Sequence, residues 1–136
     1  MTDLGPICQF LGLEIERDCD NRILYVYQSR YIHNVLVTFG LSECNSHWTP
    51  RPISNRLRRL DDSGKPLDEN EKQKYQSIIG SLNWLMHGTR PDIAFTVSML
   101  SKFLSAPNSE HLAAATYTLR YLWNTSDLAI QYSTER

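Results

Sequence analysis

The 136 residues, 41% of them hydrophobic, suit one domain with a modest core, or one piece of something larger. A formal net charge of -1 gives no global pull toward nucleic acid, so any such binding must come from local patches. Cys8, Cys19 and Cys44 are odd in number and lack metal-ligand spacing, which reads as free thiols in a reducing compartment; no apolar run approaches the roughly 20 residues of a membrane span, and the opening residues are no signal peptide.

The first predicted unit is 1–43. Residues 7–17 read as extended, because Leu11, Leu13 and Ile15 alternate with Gly12, Glu14 and Glu16. Gly12 within that run signals a bulge, a kink or a close backbone approach. Asp18, Asp20 and Asn21 supply turn chemistry; a metal site on the two aspartates is the rarer alternative. Residues 23–28 have strong strand propensity, and the two runs make a β-hairpin. Ser29 is placed to cap a short helix carrying Tyr31, Ile32, Val35, Leu36 and Phe39, stopped by Gly40 and packed on the hairpin.

From 44 to 70 the periodicity fails. Thr49-Pro50-Arg51-Pro52 forces extended backbone. Arg51, Arg56, Arg58 and Arg59 form a basic cluster, and Asp61, Asp62, Asp68, Glu69 and Glu71 follow it. Two readings stand: a solvated linker whose charges pair, or phosphate contacts made by the arginines. His47 and Trp48 look exposed and stand alone.

Residues 71–126 read as a three-helix bundle. Its first helix starts near Glu69 or Asn70 and ends at Gly88. At about 100° per residue, Tyr75, Ile78, Ile79, Leu82, Leu85 and Met86 share one face. Gln76, Gly80, Asn83, Trp84 and His87 form a second stripe without formal charge, where an ordinary solvent face would carry Lys, Glu and Arg. Gly80 costs the helix about 1 kcal/mol relative to Ala, so something must approach closely enough to use the gap. Either a neighbouring helix covers this stripe, or a ligand lies along it; amides, a glycine notch and a flat aromatic suit the sugar edge of a nucleic-acid minor groove.

Thr89-Arg90-Pro91-Asp92 reads as a helix start, with Thr89 capping, Asp92 closing a capping-box-like pair and Pro91 in the first turn. The helix 91–104 buries Ile93, Val97, Leu100 and Leu104, and Phe95, Met99 and Phe103 widen that face. Asn108 can cap the helix 109–123, which carries Leu112, Ala115, Leu119 and Leu122 on one side. In 127–136, Leu128, Ile130 and Tyr132 alternate as a terminal strand that must add to a sheet edge, either the hairpin's or one outside this chain. No catalytic constellation stands out: there is no Gly-rich phosphate loop, no Gly-x-Ser-x-Gly, no His-Glu-x-x-His and no Cys-x-x-Cys.

Several short runs occur in a telling order: Phe10-Leu-Gly-Leu-Glu-Ile-Glu16, Gln28-Ser-Arg-Tyr-Ile32, Phe39-Gly-Leu41, Thr49-Pro50, Tyr75-Gln-Ser-Ile-Ile-Gly-Ser-Leu82, Thr89-Arg-Pro-Asp-Ile-Ala94 and Leu119-Arg-Tyr-Leu122. As an ordered set they resemble the C-terminal part of the reverse transcriptase domain in the Pol polyprotein of Ty1/copia-type retrotransposons. The resemblance covers nearly the whole chain. It implies an α+β fold: an N-terminal β-hairpin with a short helix, then a three-helix thumb-like bundle and a terminal edge strand. It implies that Phe10 to Ile15 form the primer-grip hairpin, with Leu11 and Gly12 at its tip. Gln76, Gly80 and Trp84 match thumb-helix positions that track the minor groove of the primer–template in retroviral relatives, and Asn83 and His87 share their stripe. That favours the ligand reading of the stripe.

The implied partner is an RNA–DNA or DNA duplex, with no membrane involved. The family's catalytic aspartates, in a Tyr-x-Asp-Asp turn, lie upstream of this segment and its ribonuclease H domain downstream. The resemblance therefore implies a piece without catalysis or cofactor of its own, Mg belonging only to a complete polymerase, in the cytoplasm or nucleus. The rival expectation is a structural module that self-associates or pairs with a full-length polymerase.

Overall fold

The computed structural model describes residues 5–41, 45–51 and 65–134. Four antiparallel strands form one open sheet in the order β1-β2-β3-β4: β1 Gln9–Phe10, β2 Leu13–Asp18, β3 Ile23–Tyr27 and β4 Ile130–Ser133. The run that periodicity alone reads as one extended segment, with a bulge, a kink or a close backbone approach at Gly12, is in fact two strands. Gln9 pairs with Glu14 and Phe10 with Leu13, leaving Leu11 and Gly12 as a two-residue turn. Both have positive φ, 51° and 81°, which is the twist-matched hairpin turn that Gly serves well and Leu poorly.

The β2–β3 turn is held by Asp18. Its carboxylate accepts from the Asp20 and Asn21 backbone N–H groups at 3.1 and 3.0 Å and from the Asn21 amide at 2.7 Å. The Asn21 side chain, foremost, holds that carboxyl below its ordinary value. Among the described residues no three His, Cys, Asp or Glu side chains converge as metal ligands would. The terminal strand finds its partner within the chain: β4 pairs with β3, Val26 opposite Ile130 and Leu24 opposite Tyr132.

Four helices follow the expected order, α1 Ser29–Thr38, α2 Glu69–Gly88, α3 Ala94–Ser101 and α4 Ser109–Asn124. None is long and apolar enough to cross a membrane among the described residues. Gln28 rather than Ser29 precedes α1 as its N-cap, without a side-chain bond; Ser29 lies inside the helix and its hydroxyl donates to the Ser126 carbonyl at 2.8 Å. The helix ends as expected at Gly40, φ 72°, with Leu41 N–H returning to Leu36 at 2.8 Å and Gly40 N–H to Val37 at 3.1 Å. It packs on α4 rather than on the hairpin, which it meets through its first turn, where Arg30 N–H donates to Glu14 at 2.8 Å.

Asp68 and Glu71 make a reciprocal capping box that starts α2, and Asn108 and His111 make another that starts α4. Every buried hydrophobic side chain among the described residues is helical, from Ile32, Val35 and Leu36 of α1 through Leu82 and Leu85 of α2 to Leu119 and Leu122 of α4. The helix expected over 91–104 is broken up: Pro91–Ile93 is a 3-10 turn and α3 ends at Ser101. Phe95 does not join the core but is 67% exposed.

The Thr89–Asp92 run is not a helix cap. Thr89 ends α2, and its hydroxyl donates to Gln28 Oε1 at 3.0 Å. Gln28 is itself 1% exposed and lies against Gly88, where a Cβ would collide with its amide. Arg90 is equally buried and grips both oxygens of Asp92, Nε at 3.0 Å and Nη2 at 2.7 Å. It also donates to the Thr125 carbonyl at 2.8 Å and hydroxyl at 2.7 Å, while the Tyr121 hydroxyl donates to Asp92 at 2.7 Å. Burial pushes the Asp92 carboxyl up, but the bonds from Arg90 and Tyr121 outweigh it and hold the group below its ordinary value. Loop, helix end and helix start are thus tied by one bidentate ion pair, the arrangement that lets a guanidinium be buried.

Candidate nucleic-acid interface

Twenty residues make α2 about 30 Å long. Its apolar face fastens it: Tyr75, Ile78, Ile79, Leu82 and Leu85 are at most 2% exposed, and the Tyr75 hydroxyl donates to the Leu100 carbonyl at 2.7 Å. Burial alone holds that hydroxyl far above its ordinary value, so it stays a donor. The uncharged stripe on the other side is open. Gln76, Gly80, Asn83, Trp84 and His87 are all exposed, and a Cβ on Gly80 would meet no atom within 4 Å. Among the described residues no neighbouring helix covers Gly80 and Trp84, which sets the packed alternative aside.

The chemistry of this flank is specific. Trp84 is 49% exposed, and its indole N–H has no acceptor among the described residues. His87 Nδ1 stands 2.8 Å from the Asn83 carbonyl, which can only accept, so Nδ1 is the donor in this contact. Gln76 is partly occupied, since its Nε2 donates to Leu104 at 3.0 Å and closes the end of the α3 region. The stripe thus presents donors and acceptors around a flat ring and a gap, with no formal charge among its five residues.

At the hairpin tip, Leu11 is 73% exposed and Phe10 54%. A leucine at φ 51° is strained, and the strain sits on an apolar side chain held out in solvent. Of the four arginines considered for phosphate contact, Arg51 is described and Arg56, Arg58 and Arg59 lie outside the described residues. The Arg51 guanidinium stands 5.6 Å above the Phe95 ring. His47, which seemed isolated, stacks on Tyr117 with ring centroids 3.8 Å apart. Neither Phe95 nor Tyr117 was marked by the sequence as more than a helix residue, because each meets its partner across 44 or 70 positions of chain, where no periodicity reaches.

The fold and this helix flank define a small α+β unit with an exposed, uncharged helix face. The chain is 38% identical over 131 residues to the retrovirus-related Pol polyprotein from transposon TNT 1-94 of Nicotiana tabacum, covering 93% of this chain and 10% of that protein. It is 35% identical over 133 residues to the putative transposon Ty5-1 protein YCL074W of Saccharomyces cerevisiae, covering 97% of this chain and 41% of that protein. It is 37% identical over 130 residues to the retrovirus-related Pol polyprotein from transposon RE1 of Arabidopsis thaliana, covering 96% and 8%. The chain is thus similar over nearly its full length to one segment of retrotransposon Pol polyproteins, and spans a tenth or less of the two polyproteins and under half of the Ty5-1 protein. No family model matches it, and no solved structure does.

Proposed function

We propose that this chain is the primer-grip and thumb portion of a retrotransposon reverse transcriptase, and that it holds primer–template nucleic acid without performing catalysis itself. The observation that carries this reading is the unobstructed space at Gly80 beside a half-exposed Trp84. A duplex laid along α2 would meet donors and acceptors suited to the minor-groove edge, and its sugars would pack on the indole. A glycine in the middle of an exposed helix face is unfavourable by itself, and a closely approaching backbone would offset that cost. The strained Leu11–Gly12 tip supports the same reading, as a rigid apolar finger against the end of the growing strand. The partner is an RNA–DNA or DNA duplex, met in the cytoplasm or nucleus, and the two-metal phosphoryl-transfer chemistry of a complete polymerase would come from other segments.

The test is anisotropy of a labelled blunt RNA–DNA hybrid with the full chain at two salt concentrations. Salt-sensitive binding is expected from phosphate contacts, and it should weaken in Gly80→Leu and Trp84→Ala while circular dichroism stays unchanged. Binding that ignores both substitutions would remove the basis for the proposal.

One observation favours a second reading, a protein-interaction module. Among the described residues no strand residue is fully buried, and an open groove lies on either side of the sheet, of about 450 Å³ beside Tyr25 and Tyr27 and about 770 Å³ beside Ile7, Ile15 and Tyr132. Self-association or pairing with a polymerase would cover it. Sedimentation at micromolar concentration, with no salt-sensitive affinity for the hybrid, would favour this reading over the first.

A further inference from the structure

We propose that Trp48, Arg51 and Phe95 form a second nucleic-acid contact, one that takes unpaired bases rather than a duplex. The inference rests on the reading of the chain as a nucleic-acid binder, but it uses residues apart from the α2 flank. Trp48 is 84% exposed. It is not carried on a loose strand. On one side His47 stacks on Tyr117, the planes 9° apart. On the other, the Thr49 hydroxyl lies 3.3 Å from the Tyr117 hydroxyl, and Thr118 donates to the Pro50 carbonyl at 3.1 Å. The flanking residues are docked on α4 while the indole between them is held out in water.

Three residues further on, at most about 10 Å of chain, Arg51 lies over Phe95. Phe95 is 67% exposed, so the guanidinium covers only part of the ring. Arg51 has no carboxylate partner among the described residues. An exposed indole three residues from a guanidinium that stands over a second exposed ring, with no carboxylate partner among the described residues, matches the two repeating parts of a nucleotide chain, a π-face and a phosphate.

Charge decides between partners. From 45 to 59 the sequence carries four arginines and no acidic residue before Asp61 and Asp62 follow, within a chain whose net charge is -1. That local excess favours a polyanion over an apolar protein surface. Topology then decides between strands. In a duplex the faces of the bases are covered by their neighbours, so a stacking platform reads only unpaired bases or ends. In the proposed setting such bases are those of a single-stranded overhang, while the paired region lies along α2.

The test uses the full chain with two labelled probes, a short oligothymidine and the blunt RNA–DNA hybrid. Trp48→Ala should weaken oligothymidine binding by about five-fold or more, the lower end of what losing one base–aromatic stack costs, and leave hybrid binding unchanged. Phe95→Ala should act in the same direction, and Arg51→Gln should flatten the salt dependence for oligothymidine. Gly80→Leu should do the reverse, weakening the hybrid alone. Trp48 and Phe95 are exposed and Arg51 is half-buried, so the fold should survive each change, with circular dichroism as the check. Unchanged oligothymidine affinity in Trp48→Ala would overturn the proposal, and so would an equal loss for both probes. A protein that binds the hybrid but not oligothymidine would refute this contact and leave the proposed function standing. Dimers that dissociate on Trp48→Ala, with no oligothymidine affinity, would assign the surface to a protein partner instead.

Discussion

The helices and the sheet of this protein solve the same problem differently. Ile78, Leu82, Leu85, Val97, Leu100 and Leu119 are 0–1% exposed and interlock around a common centre, whereas Leu24, Val26 and Ile130 in the sheet are all partly exposed and open grooves lie on either side of it. The strands are nonetheless regular, with turns built from Leu11–Gly12 and Asp18–Asn21. Regular hydrogen bonding therefore does not require a sealed face here; the sheet is shaped by its turns and ladder, the bundle by its core. What joins the two is polar: the Gln28–Thr89 bond, the Gly88 contact and the Ser29–Ser126 bond.

The contrast can be broken by substitution. Leu82→Ala should cost about 3 kcal/mol or more in urea unfolding, because it opens a cavity in a filled core, while Val26→Ala in the open sheet should cost under about 1 kcal/mol. Equal losses would mean that the sheet is sealed in solution. Arg90→Met should cost about 3 kcal/mol, the low end for breaking a buried ion pair because Asp92 is about one-third exposed. If it loses less than about 1 kcal/mol, the Arg90 junction is dispensable.

Gly80→Ala should stabilise the chain by up to about 1 kcal/mol in thermal melts, since the new methyl meets nothing and helix propensity improves. Destabilisation would show that the flank is packed. The smallest effect belongs to acid. Asp92 is held below its ordinary value, so its contribution is complete above the usual carboxylate range and fades as pH falls through the lower native value. Stability should fall below about pH 4, and Asp92→Asn should make that fall shallower; parallel acid curves for the two proteins would contradict the assignment.

The features legible in the sequence are those set by neighbours within a few residues. The apolar stripe of α2, the Gly40 stop and the Asn108 cap are found where local spacing puts them. The uncharged stripe of α2 was legible only as a pattern, with Gln76, Gly80, Asn83, Trp84 and His87 in register; whether it was covered or open was not. Thr89 and Asp92 misled because their local spacing fits a cap, yet Thr89 bonds Gln28, 61 positions away, and Asp92 bonds Arg90 beside it and Tyr121, 29 positions away. Phe95 misled because helical spacing alone cannot say how far a neighbouring helix extends over a face.

By itself, the sequence determined the order of the four helices, the Asp18–Asn21 turn, the Gly40 stop and the Asn108 cap, and the face of α2 that enters the core. Those follow from backbone preferences and hydrophobic period, which act over one or two turns of chain. Tertiary structure alone decided that β4 joins β3, that Arg90 is buried on Asp92 and Thr125, and that the Gly80 flank stays open. Each of those depends on which distant groups arrive at a given point in space, and a one-dimensional pattern carries no record of that.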